Sequence, residues 1–295
     1  MTAPTTGCLR VDGATLHYEV RGSGPLLLLI PGGAGDAASY DGIADDLAAD
    51  HTVVSYDPRG MSRSPLDDPE AAQRVAQHAD DAFRLLELLS PDAVARVAGC
   101  SSGAIVALHL LTAHPERIER VLAHEPPVVE VLPDAAEHRA LLARVQDTFR
   151  RDGLMPAVAE FAAGLRRPGA EEPVTAKAVT ELPPRAAARA ERTMANMPYF
   201  LGRIVPSFMA YAPDVDRLAA LSDRLVLAGG ADSHGELPYR PAAFLAERLG
   251  TELVHFPGGH TGLSTHPAEF AALLRKVLSA SRCAGVSRWS GAVME

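Results

Sequence analysis

A serine between small residues, Gly99-Cys100-Ser101-Ser102-Gly103, ends the apolar run Val94 to Ala98 and opens the helix-like run Ala104 to Thr112. In a strand, sharp turn and helix context, Gly-x-Ser-x-Gly holds a serine on a strained backbone with its hydroxyl projecting, because the glycines let strand and helix approach closely. A hydroxyl is a weak nucleophile at neutral pH. It attacks a carbonyl when an imidazole takes its proton and an acid holds that imidazole in its reactive tautomer. Groups of both kinds follow Ser101 in the chain. Asp232 follows Gly229-Gly230-Ala231, past the run Leu225 to Ala228, and His260 follows Pro257-Gly258-Gly259, past the run Leu253 to Phe256. A second carboxylate stands in His124-Glu125-Pro126-Pro127, where the run Ile118 to His124 ends.

His234, His255 and His266 are rivals for the base. His255 lies inside a strand, His266 begins a helix beside Pro267, and His234 follows the Asp232 turn, whereas the two glycines before His260 make an open loop.

The elements that must position these groups alternate along the chain. Leu9 to Asp12 and Leu16 to Arg21 read as paired strands, and Leu26 to Ile30 as a strand buried on both faces, ending in Pro31-Gly32-Gly33-Ala34-Gly35. Val53 to Tyr56 runs into Asp57-Pro58-Arg59-Gly60-Met61-Ser62-Arg63-Ser64, where proline and glycine enforce a turn. Helices are expected at Tyr40 to Ala49, Gln73 to Leu89, Ser102 to Ala113, Ala242 to Leu249 and Pro267 to Ala280. In the second of these, Phe83, Leu86 and Leu89 recur at helical spacing, with Asp80, Asp81, Arg84 and Glu87 on the other face. Strands alternating with helices point to a mostly parallel sheet.

The interval between His124 and Leu225 is several times the usual connection and reads as an insertion. Glu137 to Arg150, Met155 to Leu165, Ala176 to Thr180 and Ala186 to Met197 look helical, separated by Arg167-Pro168-Gly169 and Leu182-Pro183-Pro184. The stretch after Ala280 has no periodicity and reads as a loose tail, 281–295.

With 295 residues, 47% of them hydrophobic, the chain can bury a full core and an insertion. A net charge of −9 without a dense basic tract argues against nucleic acid or an anionic membrane as partner. Cysteines at 8, 100 and 283 form neither a metal-ligand spacing nor an even disulfide framework, so a reducing cytoplasm is expected. No apolar stretch approaches the ~18 to 20 residues of a membrane span, and the amino terminus lacks a secretory signal pattern.

Taken together, Pro31-Gly32-Gly33, Asp57-Pro58-Arg59-Gly60-x-Ser62-x-Ser64, the Ser101 turn, Gly229-x-x-Asp232 and Gly259-His260 resemble an α/β-hydrolase from about residue 8 to about residue 280. The chain order serine, acid, histidine is also that fold's order. The resemblance implies an eight-stranded, mostly parallel sheet flanked by helices. It implies a core of residues 1–126 and 214–280 and a helical cap of residues 127–213 inserted after strand six.

It further implies Ser101 as nucleophile, His260 as base and Asp232 as acid, with Glu125 as the alternative because certain lactone hydrolases take their acid there. The backbone N–H groups of Gly33 and Ser102 would form the oxyanion hole, Arg59 and Ser62 would brace their loop, and no metal or other cofactor is needed. In the cap, Met194, Met197, Tyr199, Phe200, Phe208 and Tyr211 are candidates to line a substrate pocket.

The reaction expected is hydrolysis of a carboxylic ester or lactone of a small, partly apolar molecule through an acyl-enzyme. An amidase or peptidase, a carbon–carbon bond hydrolase, a cofactor-free haloperoxidase-like perhydrolase and a non-enzymatic ligand-binding member stay open as alternatives.

Overall fold

The computed structural model describes residues 3–167 and 184–279. The expected helix Ala176 to Thr180, most of the two proline clusters, and the tail after Ala280 lie outside them. Eight strands form one sheet: β1 (Thr5–Val11), β2 (Ala14–Arg21), β3 (Leu26–Ile30), β4 (Thr52–Tyr56), β5 (Ala95–Cys100), β6 (Ile118–His124), β7 (Leu225–Gly230) and β8 (Val254–Phe256). Their spatial order is β1-β2-β4-β3-β5-β6-β7-β8. β1 with β2 and β2 with β4 pair antiparallel; every other neighbouring pair is parallel.

Consecutive side chains of a strand point to opposite faces, so a continuous apolar run suits a sheet covered on both sides. β3 shows this directly. Leu28 and Ile30 join the core under α2 (Val75–Leu89) and α3 (Ser102–Ala113), while Leu27 and Leu29 join the core under α1 (Asp41–Leu47) and α11 (Pro267–Ser279). On α2 the buried stripe is Val75, His78, Ala79, Ala82, Leu85 and Leu86, and Phe83 is only half-buried. Asp81, expected on the polar face, is buried there because Arg59 reaches it, with Nε 2.6 Å from Oδ2. Burial pushes the Asp81 carboxyl up to about 6 against the opposing charge of Arg59.

Between β6 and β7 lie α4 (Ala135–Asp152), α5 (Leu154–Leu165), α6 (Pro184–Tyr199), a π-helical turn at Phe200–Ile204, α7 (Val205–Met209) and α8 (Val215–Ala220). Leu141, Val145, Ala157, Leu201, Val205 and Met209 join these helices in one apolar cluster, which also takes in Leu237 from the chain after β7. The expected stop near Met197 is absent: Pro198 sits inside α6, and the chain continues helically through the π turn into α7. A π turn re-phases the faces of a helix, and such turns recur at functional sites. Two further elements follow β7: α9 (Tyr239–Leu249) and, after β8, the single turn α10 (Gly262–Thr265). No helix among the described residues is long and apolar enough to cross a membrane.

His124, the last residue of β6, is buried between Phe256 and Phe270, and neither ring nitrogen has a hydrogen-bond partner. Burial lowers its pKa from 6.5 to about 4. The folded chain therefore binds fewer protons at this site than the unfolded chain does between those values. This group's share of stability is complete above pH 6.5, declines as pH falls, and declines no further below pH 4. His124→Leu is expected to flatten the dependence of the urea midpoint on pH across that window. His78, lowered by burial to about 3, keeps part of the slope. Equal slopes for wild type and variant would contradict this account.

Candidate active site

Ser101 closes β5 at φ 54°, ψ −124°, a left-handed conformation that a serine rarely adopts, and α3 begins at the next residue. Its neighbours explain how the turn closes. A Cβ on Gly99 would stand 2.3 Å from the Gly103 carbonyl oxygen, and a Cβ on Gly103 would stand 2.2 Å from that of Ile30. Glycine at both positions lets strand, turn and helix touch. The Ser101 N–H is not left free, since it donates to the His124 carbonyl oxygen at 2.9 Å and ties the turn to β6.

Glu125 leaves β6 at φ 49° and is fully buried. Its own N–H donates to the Ala228 carbonyl oxygen of β7 at 2.9 Å. One carboxylate oxygen accepts the Gly230 N–H at 2.7 Å and the Ser233 hydroxyl; the other lies 2.6 Å from His260 Nδ1. Burial alone would raise the Glu125 pKa, but the hydrogen bond and charge of His260, helped by His124 and Ser233, outweigh it and hold the carboxyl below its ordinary value.

The acid beside His260 is thus Glu125, in place of the expected Asp232. The Asp232 side chain is exposed, and the residue's N–H donates to the Gly258 carbonyl oxygen at 3.0 Å. It shapes the turn between β7 and α9, while its neighbours Gly230 and Ser233 hold the carboxylate from β6. His255 is bonded to the Tyr239 hydroxyl at 2.9 Å and His266 to Thr265, so neither rival histidine joins the group, and His234 is exposed.

Ser101 and His260 line a common cavity of about 160 Å³. They make no direct hydrogen bond; such bonds are commonly long before substrate binds and tighten in the complex. Ser102 and Gly33 also line this cavity. Ser102 N–H opens α3, where the first amides have no partner within the helix. Gly33, at φ 61°, donates its N–H to the Ser102 hydroxyl oxygen at 2.9 Å.

Two loops back this group. Asp57 accepts the Ala37 N–H at 2.9 Å and the Arg63 Nε–H at 2.8 Å. The Ser62 hydroxyl donates to Asp36 at 3.1 Å. From α6, Asn196 donates to the Ala34 carbonyl oxygen at 3.0 Å and accepts the Ser62 N–H at 2.8 Å, and Arg192 pairs with Asp36.

The remaining wall of the cavity is apolar. Of the six side chains expected to line a pocket, Phe200 and Phe208 do so. Met194 is half exposed, and Tyr199 packs against Gly60 with its buried hydroxyl unpartnered. Tyr211 is turned away by a 2.8 Å hydrogen bond to His109, and Met197 is not in the wall. Phe161, Leu165, Ile204, Val205 and Met209 take their place. Of the wall residues that follow Tyr199, Phe200 and Ile204 belong to the π turn and Val205, Phe208 and Met209 to α7. Among the described residues no group of three or more His, Cys, Asp or Glu is placed to share a metal ion.

Comparison with known proteins agrees with this architecture. Residues 25–262 match the family described as alpha/beta hydrolase fold. Over 277 residues the chain is 35% identical to the hydrolase YraK of Bacillus subtilis, covering 92% of this chain and 95% of that one. A shorter match, 35% over 122 residues, covers 39% of this chain and 45% of a zearalenone hydrolase from Bionectria ochroleuca. The crystal structure of a hydrolase from Pseudomonas aeruginosa superposes with a TM-score of 0.70 at 25% identity, covering 93% of this chain and 98% of that one. With the family matched across most of its length and the sheet order and Ser101 turn described above, the chain belongs to the alpha/beta hydrolase fold family.

Proposed function

We propose that the chain is a serine hydrolase of small carboxylic esters or lactones, working through an acyl-enzyme, with the helices between β6 and β7 as its cap. The observation that carries this reading is a single arrangement. Ser101, on its left-handed turn, shares a cavity with His260, and the Nδ1 of that imidazole is hydrogen-bonded to a buried carboxylate.

In this reading His260 Nε2 takes the Ser101 proton as Oγ bonds to the substrate's carbonyl carbon. Glu125 fixes the proton of His260 on Nδ1 and stabilises the imidazolium that forms. The negative oxygen is received by the N–H groups of Ser102 and Gly33, each such donor being worth ~3 to 4 kcal/mol of barrier. Gly33 reaches it once the Ser102 hydroxyl turns aside. The leaving alcohol takes the proton from His260, and water then attacks the acyl-serine by the same acid–base route in reverse.

An acid at the end of β6 is the position implied by the likeness to certain lactone hydrolases, which keeps a lactone beside an open-chain ester as substrate. The partial match to a zearalenone hydrolase supports hydrolysis in the same sense.

Three outcomes are expected. Ser101→Ala should fold and lose at least about 10³-fold in kcat on activated esters, and a fluorophosphonate probe should label wild type at Ser101 alone. Turnover near wild type in the purified variant would remove Ser101 as nucleophile. Glu125→Gln should lower kcat by about 10² to 10⁴, because an amide can present its N–H to Nδ1 and select the wrong tautomer. Asp232→Asn should stay within about threefold of wild type, as surface changes generally do. Steady-state kinetics on one ester compare the two, and the reverse ranking would return the acid to Asp232.

The size of the apolar cavity sets the third outcome. A cavity of about 150 Å³ holds a molecule the size of benzene. Among p-nitrophenyl esters, kcat/KM should therefore peak at acyl chains of about four to six carbons and fall for chains of about ten or more. A flat profile up to long acyl chains would contradict that fit.

A further inference from the structure

Gly33, Ser101 and His260 line a second cavity as well, larger than the first at about 330 Å³ and different in its chemistry. Hydroxyl-bearing Ser39, Thr193, Thr261 and Ser264 contribute to its wall, together with Arg189 from α6. Among the described residues no aspartate or glutamate lines it. That exclusion is notable in a chain with 37 acidic residues against 28 basic ones.

Arg189 stands one helical turn before Arg192, and the two differ in one respect. Arg192 is neutralised by buried Asp36. Arg189 is half-buried and has no hydrogen-bond or ion-pair partner among the described residues. A sheltered guanidinium loses hydration that a carboxylate partner would ordinarily offset, and its planar fork of donors matches a carboxylate in two parallel hydrogen bonds.

The geometry points to a bipartite substrate, an ester whose acyl half is apolar and whose alcohol half carries a carboxylate held by Arg189. This assignment rests on the serine hydrolase reading above and names its substrate class. The short acyl group enters the apolar cavity. The hydroxy-acid half lies in the larger, more polar one. Ser101 Oγ bonds to the acyl carbon, the bond from that carbon to the alcohol oxygen breaks, and this oxygen takes the proton that Ser101 passed to His260. Water then adds to the acyl carbon, releasing the carboxylic acid and restoring Ser101. The products are a short acid and a hydroxy acid.

The experiment compares two esters of equal size, butanoyl glycolate and butanoyl glycolamide, which differ by one charge. Wild-type kcat/KM should favour the anion by about tenfold or more, and the ratio should shrink as salt screens the contact. In Arg189→Met the ratio should fall by about 10- to 100-fold, mainly through KM for the anion. Arg189→Gln, a second variant with good helix propensity, should do the same, and Arg189→Lys should keep part of the preference. A wild-type ratio near one, or a ratio unmoved by both neutral substitutions, would overturn the anion site while leaving the serine hydrolase reading in place. Failure of wild type to cleave either of these esters or any p-nitrophenyl ester would overturn that reading, and the assignment of Arg189 with it.

Discussion

The group around Ser101 depends on one buried carboxylate. Glu125 is removed from water and surrounded by donors: the Gly230 amide, the Ser233 hydroxyl and His260 Nδ1. A buried carboxylate is costly unless each oxygen is hydrogen-bonded, and these three contacts satisfy both oxygens while leaving the Nε2 side of the imidazole for another partner. The backbone enforces the arrangement. Ser101 N–H bonds to β6, Glu125 N–H to β7, and Ala231 N–H to the Phe256 carbonyl oxygen of β8. Each turn is thus fastened to the strand beside it, and the parallel order β5-β6-β7-β8 brings together residues far apart in the chain.

The inserted helices are coupled to the same group by polar contacts. Asn196 is nearly buried and bridges Ala34 and Ser62, and Arg192 pairs with Asp36, which caps the turn after the Gly33 loop. Those contacts connect the helices bounding the cavities to the loop that carries an expected oxyanion donor. A shift of α6 would therefore act on Gly33 as well as on the walls of the cavities.

Much of this architecture was legible in residue patterns. β3, β6 and α3 have the expected bounds. Ser101 and His260 were visible because glycines mark the close approaches and the open loop that their positions need. The acid was harder to read. Glu125 and Asp232 each follow a strand, and spacing does not say which carboxylate turns inward. That choice is made by the left-handed backbone of Glu125 and by the donors Gly230 and Ser233, which are distant in sequence. Similarly, Met194 and Tyr211 have the composition of a pocket wall, but the side chains that reach the cavity are Phe200 and Ile204 of the π turn and Phe208 and Met209 of α7. Asp81, which helical spacing places on the polar face of α2, is buried because its partner, Arg59, comes from another loop.

The central claim is that Glu125, and no other acid, holds the His260 imidazole. Proton NMR of the resting protein near neutral pH tests it directly, because a hydrogen bond of 2.6 Å between an imidazole N–H and a buried carboxylate strongly deshields its proton. The account predicts a far-downfield resonance that couples to His260 Nδ1 in nitrogen-15-labelled protein, vanishes in Glu125→Gln and persists in Asp232→Asn. A resonance that survives Glu125→Gln and disappears in Asp232→Asn would contradict it.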